Sequence, residues 1–240
     1  MENIILIETS TALCSAALLQ DGRIASYKES KEPKAHASLT AVFIEELLRE
    51  NNIGINDCSA VCVSMGPGSY TGLRVGVSTA KGLCFGGNLP LIAVGTLDTL
   101  VWQAIGSLPA TVENQDTVET AGEWKYIIPM IDARRMEVYT AIFDKDGKQM
   151  SETEPKIIDG NSFAEQLSEG AVLFIGDAAE KCSKVITHPN AHFIQCCPKA
   201  SAMAIPAMAE YREKHFRDVA YFEPFYLKEF VATVSKKKLF

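Results

Sequence analysis

The chain has 240 residues, of which 47% are hydrophobic and 22% charged, a composition typical of a globular protein with one large domain or two lobes. The net charge of −7 argues against a protein that grips nucleic acid by itself, because such proteins usually carry a basic face. The chain has neither a membrane-length apolar run nor a basic leader, so we expect a cytoplasmic protein with no membrane span and no secretory signal.

The first part of the chain, residues 1–105, predicts a lobe with the element order βββαβαβα. Short apolar runs predict strands, and apolar residues at helical spacing predict helices. The strands are expected over 4–8, 14–20, 23–29, 61–65 and 91–94, and the helices over 36–51, 71–85 and 97–105. Asp21-Gly22 is a strong signal for a hairpin between the second and third strands.

Residues 106–124 are polar, rich in Glu, Thr and Gly, and without periodicity, which predicts a linker or mobile loop. Residues 125–240 then predict a second lobe. Its strands are expected over 126–132, 137–143 and 172–175, and its helices over 162–167, 178–185 and 200–215. Glu8 and Asp132 each end the first strand of a half, and an Asp-Gly hairpin signal follows each at nearly the same distance. This match favours an internal duplication.

The most distinctive stretch, residues 66–76, reads GPGSYTGLRVG between a predicted strand and a predicted helix. That context suits a phosphate cradle, and it equally suits a tight strand-to-helix turn. No Lys-Ser/Thr pair follows the last glycine, which excludes a P-loop. Gly68 and Gly72 lie one residue too far apart for the dinucleotide-binding fingerprint.

Two consecutive predicted helices carry surplus apolar and small residues. Gly72, Gly76 and Ala80 recur at every fourth position, and helical glycine costs about 1 kcal/mol relative to alanine, which close approach of another backbone usually offsets. That backbone belongs either to the same lobe or to a partner. The helix over 36–51 has an apolar arc wider than one core-facing stripe needs. We predict a partner-docking face made of Leu39, Val42, Phe43, Leu47, Gly72, Arg74, Val75, Gly76, Thr79 and Ala80.

Glu8 and Asp132 are candidates for a residual nucleotide cleft. In a duplicated fold the two acids are expected to face each other, and paired carboxylates can hold Mg²⁺ and nucleotide phosphates. The alternative is that each is a hydrogen-bonded acid at the end of a strand.

We predict no metal site, no catalytic residue and no cofactor. His188 and His192 are spaced like zinc ligands, but Pro189 and Asn190 break any helix that would align the rings. Ser10, Ser64 and Ser69 have no base nearby, and the sequence contains no Gly-x-Ser-x-Gly elbow. The seven cysteines are scattered and odd in number, so we expect free thiols rather than disulfides.

Together these residues resemble the TsaB family, also called YeaZ-type proteins. The matching segments are residues 7–10, 14–18, 21–22, 36–39, 66–76, 80–83, 131–134, 137–139 and 224–228. They span nearly the whole chain, and the 66–76 motif is the most specific. The resemblance implies an α/β, duplicated actin-like ATPase (ASKHA, ribonuclease H-like) fold with two lobes.

The resemblance also implies a function. Members of the family are scaffold subunits that pair with the catalytic paralogue TsaD and the ATPase TsaE, so that threonylcarbamoyl is transferred to adenosine 37 of tRNA. TsaD-like proteins bind metal through a helical His pair, and the helix after Gly95 reads TLDTLVWQ here, without histidine. We expect contact with tRNA only through the complex, and a weak homodimer through the docking helices.

Two features depart from the family pattern, and other functions stay open. The Asp that usually ends the first strand is replaced by Glu8, and the 106–124 loop is longer than typical.

An autonomous ASKHA-type ATPase or sugar kinase would need a glycine-rich loop to bind adenosine in the second lobe. The candidate segment there, residues 175–177, contains only one glycine, Gly176. A glycoprotease-like metallopeptidase would need a histidine pair on a helix. The acidic balance argues against a module that binds tRNA directly.

Overall fold

The structure is a computed structural model that describes residues 2–106 and 124–227. Apart from its end residues Gly106 and Trp124, the predicted linker lies outside the described residues, as do residues 228–240. Within the described ranges, no helix combines the length and apolar character needed to cross a membrane.

The first half forms a five-stranded sheet with the predicted element order. Its elements are β1 (Asn3–Glu8), β2 (Cys14–Gln20), β3 (Arg23–Ser30), α1 (His36–Glu50), β4 (Ala60–Ser64), α2 (Tyr70–Gly87), β5 (Leu91–Val94) and α3 (Thr96–Ala104), with a short 3-10 helix at Ile55–Asp57. The strand order is β3-β2-β1-β4-β5. Strand β2 is antiparallel to both neighbours, whereas β4 and β5 continue parallel to β1.

The second half repeats this plan. Its elements are β6 (Tyr126–Asp132), β7 (Glu137–Thr140), β8 (Phe143–Asp144), β9 (Glu154–Ile157), α4 (Ala164–Glu169), β10 (Val172–Gly176), α5 (Ala179–Ser183), β11 (Ala191–Gln195), a 3-10 helix at Ala200–Met203 and α6 (Ala204–Arg212). The sheet order is β9-β7-β6-β10-β11, with β8 paired to β6. Because both sheets share one order and one pattern of directions, the predicted duplication and the two-lobed, actin-like α/β fold are confirmed.

Some predicted elements of the second half differ from those observed. The strand predicted over 137–143 is broken after Thr140, because the Ile142 amide donates to Ser151 Oγ (2.9 Å) instead of continuing the ladder. The helix predicted over 200–215 begins as a 3-10 turn, and α6 carries Pro206 in its first turn, where its missing amide is tolerated. Strands β9 and β11 were not predicted.

The last helix of each half crosses to the sheet of the other half. Helix α3 packs on the second sheet, and the segment from Ala200 to the end of α6 packs on the first. The α3 side of this exchange buries Leu97, Leu100, Val101 and Ala104 against Ile127, Ile131, Leu173 and Ile175. The predicted boundaries 1–105 and 125–240 therefore divide the sequence but do not separate two hydrophobic cores, because two of the core clusters contain residues from both halves.

Candidate functional site

Helices α1 and α2 pack side by side on one face of the first sheet, as predicted. Their inward side chains join the sheet in one hydrophobic cluster, in which both helices and strands β1, β2 and β4 take part. The buried helix residues in it are Ile44, Leu47, Val77, Ala80 and Cys84. The opposite sides of the two helices are left facing away from the sheet.

The first turns of α2 pack tightly against residues 9–11, the first part of the connection between β1 and β2, which we call the 9–11 turn. Thr9 Oγ1 donates to the Gly72 carbonyl (2.9 Å), and the Ser69 amide donates to the Ser10 carbonyl (2.7 Å). A Cβ added at Gly72 would overlap the carbonyl oxygen of Thr9, and one added at Gly76 would overlap the Thr9 hydroxyl. Ser69 is the N-cap, and its side chain accepts from the Gly72 amide. The glycine-rich stretch is thus a tight strand-to-helix turn that closes onto its own lobe.

This geometry corrects the predicted docking face at Leu47, Gly72, Gly76 and Ala80. All four are buried, with Leu47 2% and Ala80 0% exposed, and they face the sheet or the 9–11 turn. The backbone that approaches the small-residue stripe belongs to the same lobe. These four residues therefore present no surface to a partner.

The other six predicted residues stay at least partly accessible, and they define what we call the α1/α2 face. Its members are Leu39, Val42, Phe43, Arg74, Val75 and Thr79. Val42 is 42% exposed. Arg74 is held in place because its guanidinium donates to the Tyr70 hydroxyl (3.0 Å), and the Tyr70 ring contacts the Tyr226 ring at 4.9 Å. Their role in docking stays a prediction.

An apolar extension of this surface was not predicted from the sequence. Phe85, near the end of α2, is 86% exposed, and Tyr221 is 84% exposed. A shallow groove lies between Phe85 and residues 218–220, where Lys81 donates to the carbonyl of Ala220 (3.0 Å). The sequence did contain a signal for the exposure of Phe85. Phe85 follows Cys84, which belongs to the buried side of α2, and so lies outside the row of residues that faces the sheet. Nothing in the sequence singled out Tyr221.

Glu8 lies beneath the 9–11 turn and has no exposed surface. Its Oε1 accepts from the Ser10 amide (2.6 Å) and from Ser64 Oγ (3.0 Å), whereas Oε2 has no hydrogen-bond partner among the described residues. Burial raises the pKa of this carboxyl to about 7 although the hydrogen bonds oppose the shift. Glu8 therefore offers no surface to the predicted residual nucleotide cleft, and its environment is that of the alternative, a hydrogen-bonded acid at a strand end.

Asp132 has a different environment. It is exposed, forms an ion pair with Lys181, and accepts a hydrogen bond from the Arg134 amide (2.8 Å). Asp177 accepts from the Asp132 amide (2.8 Å), and burial raises the pKa of Asp177 to about 6. Since Glu8 is enclosed and Asp132 is paired with a lysine, the two carboxylates do not form one accessible acidic site.

The two histidines with zinc-like spacing make other contacts. His188 Nδ1 accepts from the Asn190 amide (3.2 Å), and the His192 ring packs against Trp124 with centroids 4.8 Å apart. In the described part of the chain, His, Cys, Asp and Glu side chains form no group of three or more that could hold a metal ion.

Comparison with known proteins places the chain in a family. The family of TsaD, tRNA N6-adenosine threonylcarbamoyltransferase, matches residues 29–236. The tRNA threonylcarbamoyladenosine biosynthesis protein TsaB of Haemophilus influenzae is 28% identical over 100% of this chain and 98% of its own length. The Escherichia coli protein of that name is 33% identical over 60% of this chain, and the match spans only 55% of the E. coli protein.

Solved structures show the same fold. YeaZ from Pseudomonas aeruginosa superposes with a TM-score of 0.73 and 22% identity, covering 95% of this chain and 100% of that one. A second structure, described as similar to peptidase YEAZ from the same species, gives a TM-score of 0.80 with 22% identity and the same coverage. With the family match over most of its length, the chain belongs to the TsaD family, and within it to the TsaB (YeaZ-type) proteins of tRNA threonylcarbamoyladenosine biosynthesis.

Proposed function

We propose that the chain is a non-catalytic scaffold subunit in the transfer of threonylcarbamoyl to adenosine 37 of tRNA. It pairs with a TsaD-like catalytic paralogue, and a TsaE-like ATPase joins the pair. The observation that carries this proposal is the α1/α2 face, where the paired helices leave apolar side chains accessible: Val42 is exposed, and Leu39, Phe43 and Val75 are only partly buried.

The α1/α2 face suits a partner built on the same plan. A paralogue with the same lobe would present its own pair of helices, and two such pairs can close into a four-helix layer at the usual helix spacing of about 8–10 Å. A second copy of this chain can use the same face with two-fold symmetry, so the isolated protein forms a weak homodimer. The complex, rather than this acidic chain alone, holds the tRNA.

A non-catalytic role agrees with the environment of the two candidate acids. Glu8 is enclosed beneath the 9–11 turn, and the charge of Asp132 is paired with Lys181. Neither carboxylate is free to hold a metal–nucleotide pair in this geometry. Rapid ATP turnover by the isolated chain, lost on Glu8→Gln or Asp132→Asn, would overturn the non-catalytic part of the proposal.

The change Val42→Asp is expected to weaken binding to the TsaD-like paralogue of the same organism at least about tenfold, which corresponds to roughly 1.4 kcal/mol. An aspartate at this position would have to be desolvated when the apolar face is covered. The thermal unfolding midpoint should stay close to that of the parent protein, because Val42 is already 42% exposed. Titration calorimetry gives the affinity, and threonylcarbamoyladenosine content of cellular tRNA gives the function.

Ile157→Asp is the matched control, since it makes the same kind of change at a 74% exposed apolar residue on edge strand β9 of the other lobe. It should leave binding and tRNA modification unchanged. If a well-folded Val42→Asp protein binds the paralogue as tightly as Ile157→Asp does, the docking face lies elsewhere.

A further inference from the structure

The turn after β6 carries two consecutive arginines in an unusual backbone conformation. Arg134 has φ 73° and Arg135 has φ 51°, both in the left-handed region that side chains with a Cβ disfavour. Such conformations persist only where the surrounding structure fixes them, and they concentrate at functional sites.

Neighbouring groups other than the arginine side chains hold this turn. Lys181 Nζ donates to the carbonyl oxygens of Arg135 (2.8 Å) and Glu137 (2.7 Å) and also pairs with the Asp132 carboxylate. Asp132 accepts from the Arg134 amide (2.8 Å), and the Glu137 amide donates to the Arg134 carbonyl (3.1 Å). The backbone is therefore fixed from outside, and the two guanidinium groups are not needed for it.

Both guanidinium groups are available to a ligand. Arg134 and Arg135 are exposed, and in the described part of the chain neither makes an ion pair or a side-chain hydrogen bond. Two acids lie equally near along the chain: Asp132 before the pair, which has Lys181 as its partner, and Glu137 after it, which also makes an interaction of its own. In a chain of net charge −7, two unpaired cations on one rigid turn form a local positive site.

We propose that Arg134 and Arg135 contact the phosphate backbone of tRNA while the tRNA is bound to the assembled complex. The planar guanidinium fork matches a phosphate oxygen pair, and adjacent arginines suit the closely repeated monoanions of a nucleic acid backbone. This inference rests on the proposed function, because tRNA is the polyanion that the complex would hold. Two contacts are too few for this acidic chain to bind tRNA alone, so the site acts only within the complex.

The test measures tRNA binding to the complex reconstituted from the paralogue and the Arg134→Gln/Arg135→Gln protein. We expect the dissociation constant at about 0.1 M salt to rise roughly three- to tenfold. The slope of log K against log salt should become shallower by about 1–2, since each lost phosphate contact removes about 0.7–0.9 from it. Lys145→Gln/Lys184→Gln removes the same charge from exposed, acid-paired lysines of this lobe and should leave the salt slope nearly unchanged.

The Arg134→Lys/Arg135→Lys protein keeps both charges and should recover the salt slope while regaining only part of the affinity. Unchanged tRNA affinity and slope in the glutamine protein, with a complex that assembles normally, would overturn the inference. So would a loss of pairing with the paralogue, because the turn would then be a protein contact. If the unaltered chain fails to assemble or to support modification, the proposed function itself fails.

Discussion

Replacing Gly72 with alanine is expected to lower the free energy of unfolding by about 3 kcal/mol, the upper part of the range for overpacking a core. The added methyl would overlap the Thr9 carbonyl oxygen, which is backbone and has no rotamer to change. The 9–11 turn is itself fixed, since the Ser69 amide donates to the Ser10 carbonyl and the Ser10 amide donates to Glu8. Helix and turn must therefore separate, which breaks the Thr9–Gly72 hydrogen bond. Urea unfolding of the purified protein measures the effect.

Gly82→Ala on the same helix is the control. A Cβ at Gly82 meets no atom within 4 Å, so alanine should stabilise the protein by about 0.5–1 kcal/mol through helix propensity alone. The same substitution thus has opposite signs ten positions apart on one helix. If both alanine proteins are at least as stable as the parent, α2 does not approach the 9–11 turn as closely as described. Any loss of partner binding in Gly72→Ala would follow from its lower stability.

The glycine stripe illustrates how far sequence alone can be taken. Its four-residue spacing correctly predicts that a backbone lies close to α2. It does not identify that backbone, because Thr9 is 63 positions from Gly72 and nothing near the glycines refers to it. A partner's helix packed against α2 would require the same four-residue spacing of small residues. The assignment of Gly72, Gly76 and Ala80 to an interface could therefore be corrected only from the three-dimensional structure.

Secondary structure was predictable where periodicity was strong and failed where local chemistry opposed it. The element order of the first lobe follows from apolar runs that are buried on both faces, as in β1 and β4. The sequence does not predict strand β9, because β9 contains Pro155 and is largely exposed. It does not predict β11 either, because the five residues of that strand include the polar His192 and Gln195.

The exchange of α3 and α6 between the two sheets could not be predicted from the sequence for a different reason. An apolar helix face shows that a helix is covered, whereas the path of the chain decides which sheet covers it.

The 9–11 turn connects helices α1 and α2 to the interior of the lobe. Helix α1 reaches it through His36, whose Nε2 lies 2.9 Å from the Thr11 carbonyl oxygen, and α2 reaches it through Thr9 and Gly72. Beneath it lies the Glu8 carboxyl, which accepts from the Ser10 amide. The protonation state of Glu8 therefore bears on the stability of the element on which both helices rest.

Glu8→Gln is expected to remove a pH dependence of stability. Burial raises the pKa of Glu8 from 4.5 to about 7, so between these values the folded state holds a proton that the unfolded chain has released. The folded protein must then lose stability as pH rises through this window, by up to about 3–4 kcal/mol at 1.4 kcal/mol per pH unit. Glutamine is neutral and keeps the Oε1 acceptor for Ser10 and Ser64, so relative to the parent the variant should gain stability between pH 5 and pH 8. Asp177, whose pKa burial raises to about 6, contributes equally to both proteins and cancels in the comparison. Urea unfolding at several pH values supplies the data, and parallel stability profiles for parent and variant would show that Glu8 is not buried as a titrating acid.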